Sequence, residues 1–301
     1  MLKEKNKSPR LCSGQAKIIF IGTPAFAVPA LESLIKNNNK PMIVITEPDR
    51  PKGRGRILTS PPVKDLAQKY NIPVLQPERI ENCKLKIENL QPDLAIVCAY
   101  GQIIPKEILE IPKFGILNIH PSLLPKYRGA TPIQTAILNG DKQTGVTIMK
   151  MDEKMDHGKI VKSQKLKVKS QNYIELSKEL ANTGAKLLIQ ILPGYLNGKI
   201  ITNPQNHTQA TFTQLIKKGD GLIDWQKGAQ KIDQQIRAYF PWPGSYFMVD
   251  NKRFIIHQAH LAKNQLVIDE IQPENKPVIT FSQFKLGYPK ILTKLPNFVK
   301  I

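Results

Sequence analysis

Acidic side chains are scarce in this sequence: 24 Asp and Glu face 44 Lys and Arg, a formal net charge of +20 over 301 residues. The cationic excess points to a polyanionic partner, nucleic acid first, with a Lys-rich solubility bias as the plain alternative. Cysteine is scarce too. Cys12, Cys83 and Cys98 are odd in number and show no metal-type spacing, which leaves no thiolate metal motif and indicates a reducing compartment. Long apolar runs are missing, and nothing approaches the ~20 residues of a membrane helix. The opening MLKEKNKSPRLCSGQA has no apolar stretch, is Lys-rich and carries Glu4. It reads as neither a secretory signal nor a transit peptide, and residues 1–16 are expected to be a short disordered extension. Two nucleotide signatures are also absent. Gly22 stands alone where a dinucleotide fold needs G-x-G-x-x-G, and no Walker A run occurs. That disfavours a nicotinamide enzyme, although Gly22 closes a first strand and its turn stays a candidate ligand rim.

What is present is alternation. KIIFIG (17–22), PMIVIT (41–46), PDLAIVCAY (92–100) and GILNIH (115–120) are nearly continuous apolar runs separated by helical patterns. Such strands argue for a Rossmann-like α/β fold with a mostly parallel sheet covered on both faces. From residue 146 the pattern changes to strands without helices between them, followed by a helix of several turns. Residues 201–213 are polar and read as a linker. Beyond them, a helix over 225–240, the turn PWPGS and short alternating strands predict a smaller C-terminal domain over 214–301, an OB-like β-barrel. Trp242, between two prolines, is expected to be a packing anchor. Residues 206–301 carry 13 Lys and Arg against 7 Asp and Glu, a net of +6 that leaves +14 for the rest. A polyanion could therefore touch both halves.

The stretch NIHPSLLPKYRGATPIQTAI (118–137) carries the chemistry. Side chains alternate along a strand, so Asn118 and His120 share a face and emerge together at its carboxyl end, where open parallel sheets bind ligands. An amide N–H suits a developing oxyanion, and an imidazole two residues on can donate to the same oxygen or move a proton. The residues alone leave the plainer reading open, that both satisfy loop backbone groups. KMDEKMDHGKI (150–160) offers the acids Asp152, Glu153 and Asp156 before a glycine turn. An acid beside His120 would raise its basicity and fix its tautomer, though an Asp before Gly is more often structural.

Together, NIHPSLLPKYRGATPIQTAI and GVTIMKMDEKMDHGKI resemble the catalytic region of the 10-formyltetrahydrofolate-dependent formyltransferase family. The resemblance runs from about residue 17 to about 260 and implies a catalytic domain over 17–200. It also implies a triad of Asn118, His120 and Asp156, with no metal required. Ser122, Leu123, Leu124 and Pro125 would line the folate side as a rigid wall, because Pro121 and Pro125 limit backbone freedom. Gly101, Gln102 and Ile103, in the loop AYGQIIP, match the family's pterin-contacting position.

That region says formyl transfer but not the acceptor. The stretch TEPDRPKGRGRILTSPPVK (46–64) is too long for an ordinary connection and gathers Arg50, Lys52, Arg54 and Arg56 around two glycines. A solvated loop is the plain reading; phosphate contact is the functional one. It is similar to the insertion loop of the family's tRNA-acting branch, which enters the acceptor-stem end of initiator tRNA. LIKKGDGLIDW and IRAYFPWPGSYF resemble the start of that branch's C-terminal domain, where Lys217, Lys218, Lys252 and Arg253 are candidate tRNA contacts. The resemblance thus implies formylation of the α-amine of methionine on initiator tRNA, by a monomer in the bacterial cytoplasm or an organellar matrix. Two rivals remain: a sugar-nucleotide formyltransferase, and an inactive RNA-binding protein on the same scaffold. The final stretch FSQFKLGYPKILTKLPNFVKI departs from the family's usual ending.

Overall fold

The computed structural model describes residues 15–53 and 55–300. The extension expected at 1–16 therefore lies almost wholly outside the described residues, as does Arg54. Among the described residues no helix is long and apolar enough to cross a membrane.

A seven-stranded sheet organises the first two thirds of the chain. Its strands are β1 (Ile18–Gly22), β2 (Ile43–Ile45), β5 (Val74–Leu75), β6 (Leu94–Cys98), β7 (Ile116–His120), β8 (Gln143–Lys150) and β9 (Ile160–Lys167), in the spatial order β5-β2-β1-β6-β7-β8-β9. The pairs from β5 through β7 are parallel, and β8 runs antiparallel to β7. The expected mostly parallel sheet is present. Every residue of β1, β2 and β6 is buried, which accounts for their unbroken apolar sequence.

Helices α1 (Val28–Lys36), α2 (Pro62–Lys69), α3 (Lys84–Leu90) and α4 (Lys106–Leu109) fall between the strands. On one sheet face, Ile19, Ile21, Ile43, Ile45, Ala95, Val97 and Ile116 pack with Ile80, Ile87 and Ile108. Alternate residues share a face, so each strand contributes every second side chain. Each fully buried Ile contributes roughly 1.5–3 kcal/mol. The opposite face of β7 meets the long helix α6 (Tyr173–Leu196) at Gly184, where a Cβ would come within 2.7 Å of Ile119. That close approach needs glycine and turns Ile119 away from the side of Asn118 and His120.

The cationic stretch after β2 is not wholly irregular. It forms an antiparallel pair, β3 (Arg50–Lys52) and β4 (Ile57–Thr59), with Arg50 opposite Thr59. Its root is fastened by Asp49, which accepts from Gln76 Nε2 at 2.7 Å and from Lys64 Nζ at 2.7 Å. The Gln76 hydrogen bond, with that of Lys64, holds the Asp49 carboxyl below its usual range.

The chain divides into two compact units. The first holds residues up to Arg128, Gly145–Leu166 and Lys178–Phe212; the second holds Gly129–Thr144, Lys167–Ser177 and the residues from Thr213 on. In the second unit, α5 (Pro132–Asn139) packs against α7 (Gly228–Tyr239). Strands β10 (Ser245–Val249), β11 (Lys252–Ala262), β12 (Gln265–Pro273) and β13 (Ile279–Thr280) form an antiparallel sheet, and β14 (Val299–Lys300) pairs parallel to β12. The departing terminal sequence folds as α8 (Phe281–Gly287), α9 (Pro289–Leu292) and β14. Phe247, Phe254 and Phe284 fill this unit's core. Trp242 is not the expected anchor: it is 56% exposed. Trp225 packs against this core instead, edge-on to Phe247 at 5.4 Å between centroids.

Candidate active site

Strand β7 ends between a parallel and an antiparallel neighbour, with Asn118 opposite Val97 of β6 and His120 opposite Thr147 of β8. Asn118 and His120 share one face, and the loop after β8 brings Asp156 to them. Asn118 Nδ2 donates to Asp156 Oδ1 at 3.4 Å, and His120 Nδ1 lies 3.5 Å from the same oxygen. The three residues singled out from sequence therefore converge on one carboxylate oxygen.

The tautomer of His120 is set by a group that sequence reading passed over. Its Nε2 lies 2.9 Å from the carbonyl oxygen of Tyr127. A carbonyl only accepts, so Nε2 carries the proton. Neutral His120 then presents an unprotonated Nδ1 to Asp156, and the acid is not what fixes the tautomer. The ring is buried, which keeps that orientation.

Residues 121–128, after β7, form a strap tied down at several points. Thr147 Oγ1 donates to the Ser122 carbonyl at 2.8 Å and accepts from Leu124 N at 3.1 Å. Ser122 Oγ donates to the Lys126 carbonyl. The supposed linker returns here: Tyr127 N donates to Thr211 Oγ1 at 2.8 Å, and Arg128 N donates to the Thr211 carbonyl at 2.8 Å.

The Asp156 loop is held with equal care. Asp156 has φ +48°, a left-handed conformation that non-glycine residues adopt at a cost and that collects at functional sites. Gly158 permits the loop to close on β8, since a Cβ there would lie 1.8 Å from the Lys150 carbonyl oxygen. Gln205 Nε2 donates to the carbonyls of Asp156 at 2.9 Å and Gly158 at 2.8 Å, while its Oε1 accepts from Arg128 Nη2 at 2.7 Å. The same guanidinium donates to His207 Nδ1 at 2.9 Å, and the His207 ring stacks on His157 at 3.9 Å. Desolvation first, then the neighbouring His157 and Arg128, push the His207 pKa below its ordinary 6.5. His157 in turn meets Asp152, Nδ1 to Oδ2 at 2.6 Å.

The residues expected on the folate side are placed unequally. Leu123 and Pro125 are half-buried and Leu124 is buried; Ser122 is fully buried with its hydroxyl committed to the strap. Gln102 accepts from Ile80 N at 3.0 Å and donates to the Glu78 carbonyl at 3.2 Å, so its amide shapes the rim. Gly101 sits at φ +88° beside Ile103, which is 87% exposed. Of the candidate tRNA residues, Arg50, Arg56, Lys217, Lys218 and Lys252 are exposed and Arg253 is half-buried. Arg50 meets exposed Glu78, at 3.3 Å, and Arg56 is exposed at φ +48°. Lys52 falls on β3, and Lys217, Lys218 and Lys252 are exposed; Arg253 lies over the Tyr246 ring at 5.8 Å.

Sequence reasoning missed Tyr127, Arg128, Gln205 and Thr211 as parts of this site. The one available signal was polarity: Gln205 is a buried amide inside a stretch that reads as solvated.

Comparison with known proteins converges on the same chemistry. Residues 16–192 match the Formyl transferase family and residues 215–266 match Formyl transferase, C-terminal domain. A methionyl-tRNA formyltransferase of Thermodesulfovibrio yellowstonii is 41% identical over 294 residues, covering 90% of this chain and 95% of its own. One from Chloroflexus aurantiacus is 48% identical over 233 residues, covering 76% and 75%. Among solved structures, the methionyl-tRNA formyltransferase from Clostridium thermocellum shares the fold with a TM-score of 0.60 at 20% identity, over 86% of this chain and 98% of that one. HypX from Aquifex aeolicus in complex with tetrahydrofolic acid gives 0.64 at 14% identity, over 90% of this chain but 47% of that longer one.

Proposed function

This chain belongs to the methionyl-tRNA formyltransferase family, and from that premise we propose that its reaction runs at the corner formed by Asn118, His120 and Asp156. The activity is formylation of methionyl initiator tRNA. Bound 10-formyltetrahydrofolate supplies the formyl group, and the attacking nucleophile is the neutral α-amine of the esterified methionine. The formyl oxygen gains negative charge as the amine attacks. Asn118 Nδ2, a neutral donor at the strand end, stabilises that charge. The amine must also lose a proton. His120 Nδ1 and Asp156 Oδ1, 3.5 Å apart, offer facing lone pairs that hold it, directly or through a water, until the bond between the formyl carbon and N10 breaks, the proton passes to N10 and tetrahydrofolate leaves. The convergence of Asn118 and His120 on one oxygen of Asp156 is the observation that carries this reading.

We assign the folate side to residues 101–103 and 122–125. Exposed Ile103 and half-buried Leu123 are apolar, and Gly101 keeps the backbone open where a side chain would meet Glu47 Oε1 within 2.9 Å. Ser122 would act by shaping this wall, since its hydroxyl is turned inward. We assign residues 17–200 to catalysis and 214–301 to tRNA. Arg50, Lys52, Arg54 and Arg56 of the cationic 46–64 stretch, with Lys217, Lys218, Lys252 and Arg253, supply phosphate contacts. The enzyme acts as a monomer in the cytoplasm.

A competition of acceptors tests this reading. The protein is given 10-formyltetrahydrofolate with either methionyl initiator tRNA or an aminosugar nucleotide, and formylated product is measured. Product on tRNA alone supports the reading; product on the sugar alone, or on neither, contradicts it.

A further inference from the structure

The stretch read from sequence as a linker contains a buried amide, Gln205, whose partners include the backbone of the Asp156 loop and the guanidinium of Arg128. Gln205 Nε2 spans the carbonyls of Asp156 and Gly158, and Oε1 accepts from Arg128. Six residues on, Thr211 grips both sides of Tyr127: it accepts from Tyr127 N, and its carbonyl accepts from Arg128 N. Tyr127 supplies the carbonyl that orients His120. One segment thus holds the acid loop at one end and the imidazole's orienting carbonyl at the other.

Resting on the assignment of Asp156 to the reaction, we propose that Gln205 is a positioning residue of the active site. Asp156 sits in a left-handed conformation, so its carboxylate direction depends on what restrains its backbone. The carbonyls of Asp156 and Gly158 in that loop each accept from the Gln205 amide, which restrains the backbone on both sides of His157. An Nε2 amide offers two hydrogens, one for each carbonyl, and only a Gln or Asn can provide them while accepting from a guanidinium. Asn is one methylene shorter and cannot span the same three groups.

The test uses the full-length protein as wild type, Gln205→Met, Gln205→Glu and Asp156→Asn, assayed with 10-formyltetrahydrofolate and methionyl initiator tRNA. Gln205→Met removes both donors at nearly constant volume. Gln205→Glu keeps a partner for Arg128 but sets an oxygen against two carbonyls and places a negative charge beside Asp156. Both variants are expected to lose kcat about 10- to 100-fold, as a misplacement near 1 Å does, with KM for tRNA changed less than about twofold. In Gln205→Glu the acidic limb of the pH–rate profile also moves to higher pH, because the added charge favours the protonated His120–Asp156 pair. Unchanged kcat in both variants with an inactive Asp156→Asn overturns the positioning role and leaves the reaction corner standing. A loss of kcat that only follows loss of folded protein, with no shift of the limb in Gln205→Glu, overturns it as well. Full turnover by Asp156→Asn removes the premise itself.

Discussion

The Nε2 nitrogen of His120 lies 2.9 Å from the carbonyl oxygen of Tyr127, seven residues along the chain. This bond commits one ring nitrogen to the strap and leaves the other to face Asp156. The histidine is thereby oriented by backbone, and its Nδ1 lies 3.5 Å from Asp156 Oδ1.

The tautomer is directly measurable. A long-range proton–nitrogen correlation spectrum of histidine-labelled protein above neutral pH should show His120 protonated at Nε2 and bare at Nδ1. A neutral ring protonated at Nδ1 would contradict the geometry.

In the proposed mechanism Asn118 acts only on charge that develops during attack. Asn118→Ala should therefore lower kcat by about 10²–10³. Binding of tRNA to the variant should change less than about twofold, read by filter binding. A variant that binds poorly but turns over normally would show that Asn118 serves the ground state.

The hairpin predicts a different signature. Replacing Arg50 and Arg56 together with Ala should weaken tRNA binding and flatten its dependence on salt, by a log–log slope of about 1 for each lost phosphate contact. An unaltered slope would mean that this hairpin does not meet the backbone of the RNA.

His207 links the linker segment to pH. Its folded pKa lies below the ordinary 6.5, so between the two values the unfolded chain binds more protons than the folded one. Stability from this group is present above about 6.5 and is lost as pH falls through the folded value. Arg128, His157 and Lys154 oppose its protonation, and Asp152 favours it. Urea unfolding at pH 7.5 and 5.5 should show wild type losing more stability than His207→Gln. Equal losses would place the pH dependence elsewhere.

These outcomes separate what a linear reading reaches from what it does not. Strands β1, β6 and β7 were legible because burial on both faces forces continuous apolar runs. Asn118 and His120 were legible as a pair because strand side chains alternate. Asp156 was visible as an acid before a glycine turn, although Gly158 matters for the close approach to Lys150 rather than for a special dihedral. The strap and its clamp were not legible. Tyr127 contributes only backbone groups, and Thr211 meets it from 84 positions away. Polar composition marks residues 201–213 as exposed loop, yet Gln205 is buried, since its polarity is consumed by the carbonyls of Asp156 and Gly158 and by Arg128. The cationic stretch concealed the pairing of β3 with β4 for a related reason: Arg50, Pro51 and Lys52 carry no strand-like alternation, and the pairing rests on register with Ile57–Thr59.

The account stands most directly on the rate of one turnover. Enzyme in excess, with 10-formyltetrahydrofolate bound, is mixed with methionyl initiator tRNA, and formylmethionyl-tRNA is followed in time for wild type and Asp156→Asn. Wild type should form the product, and the variant should form it at least about 100-fold more slowly while binding tRNA with the same affinity. Equal rates, or no formylmethionine from wild type, would contradict the account.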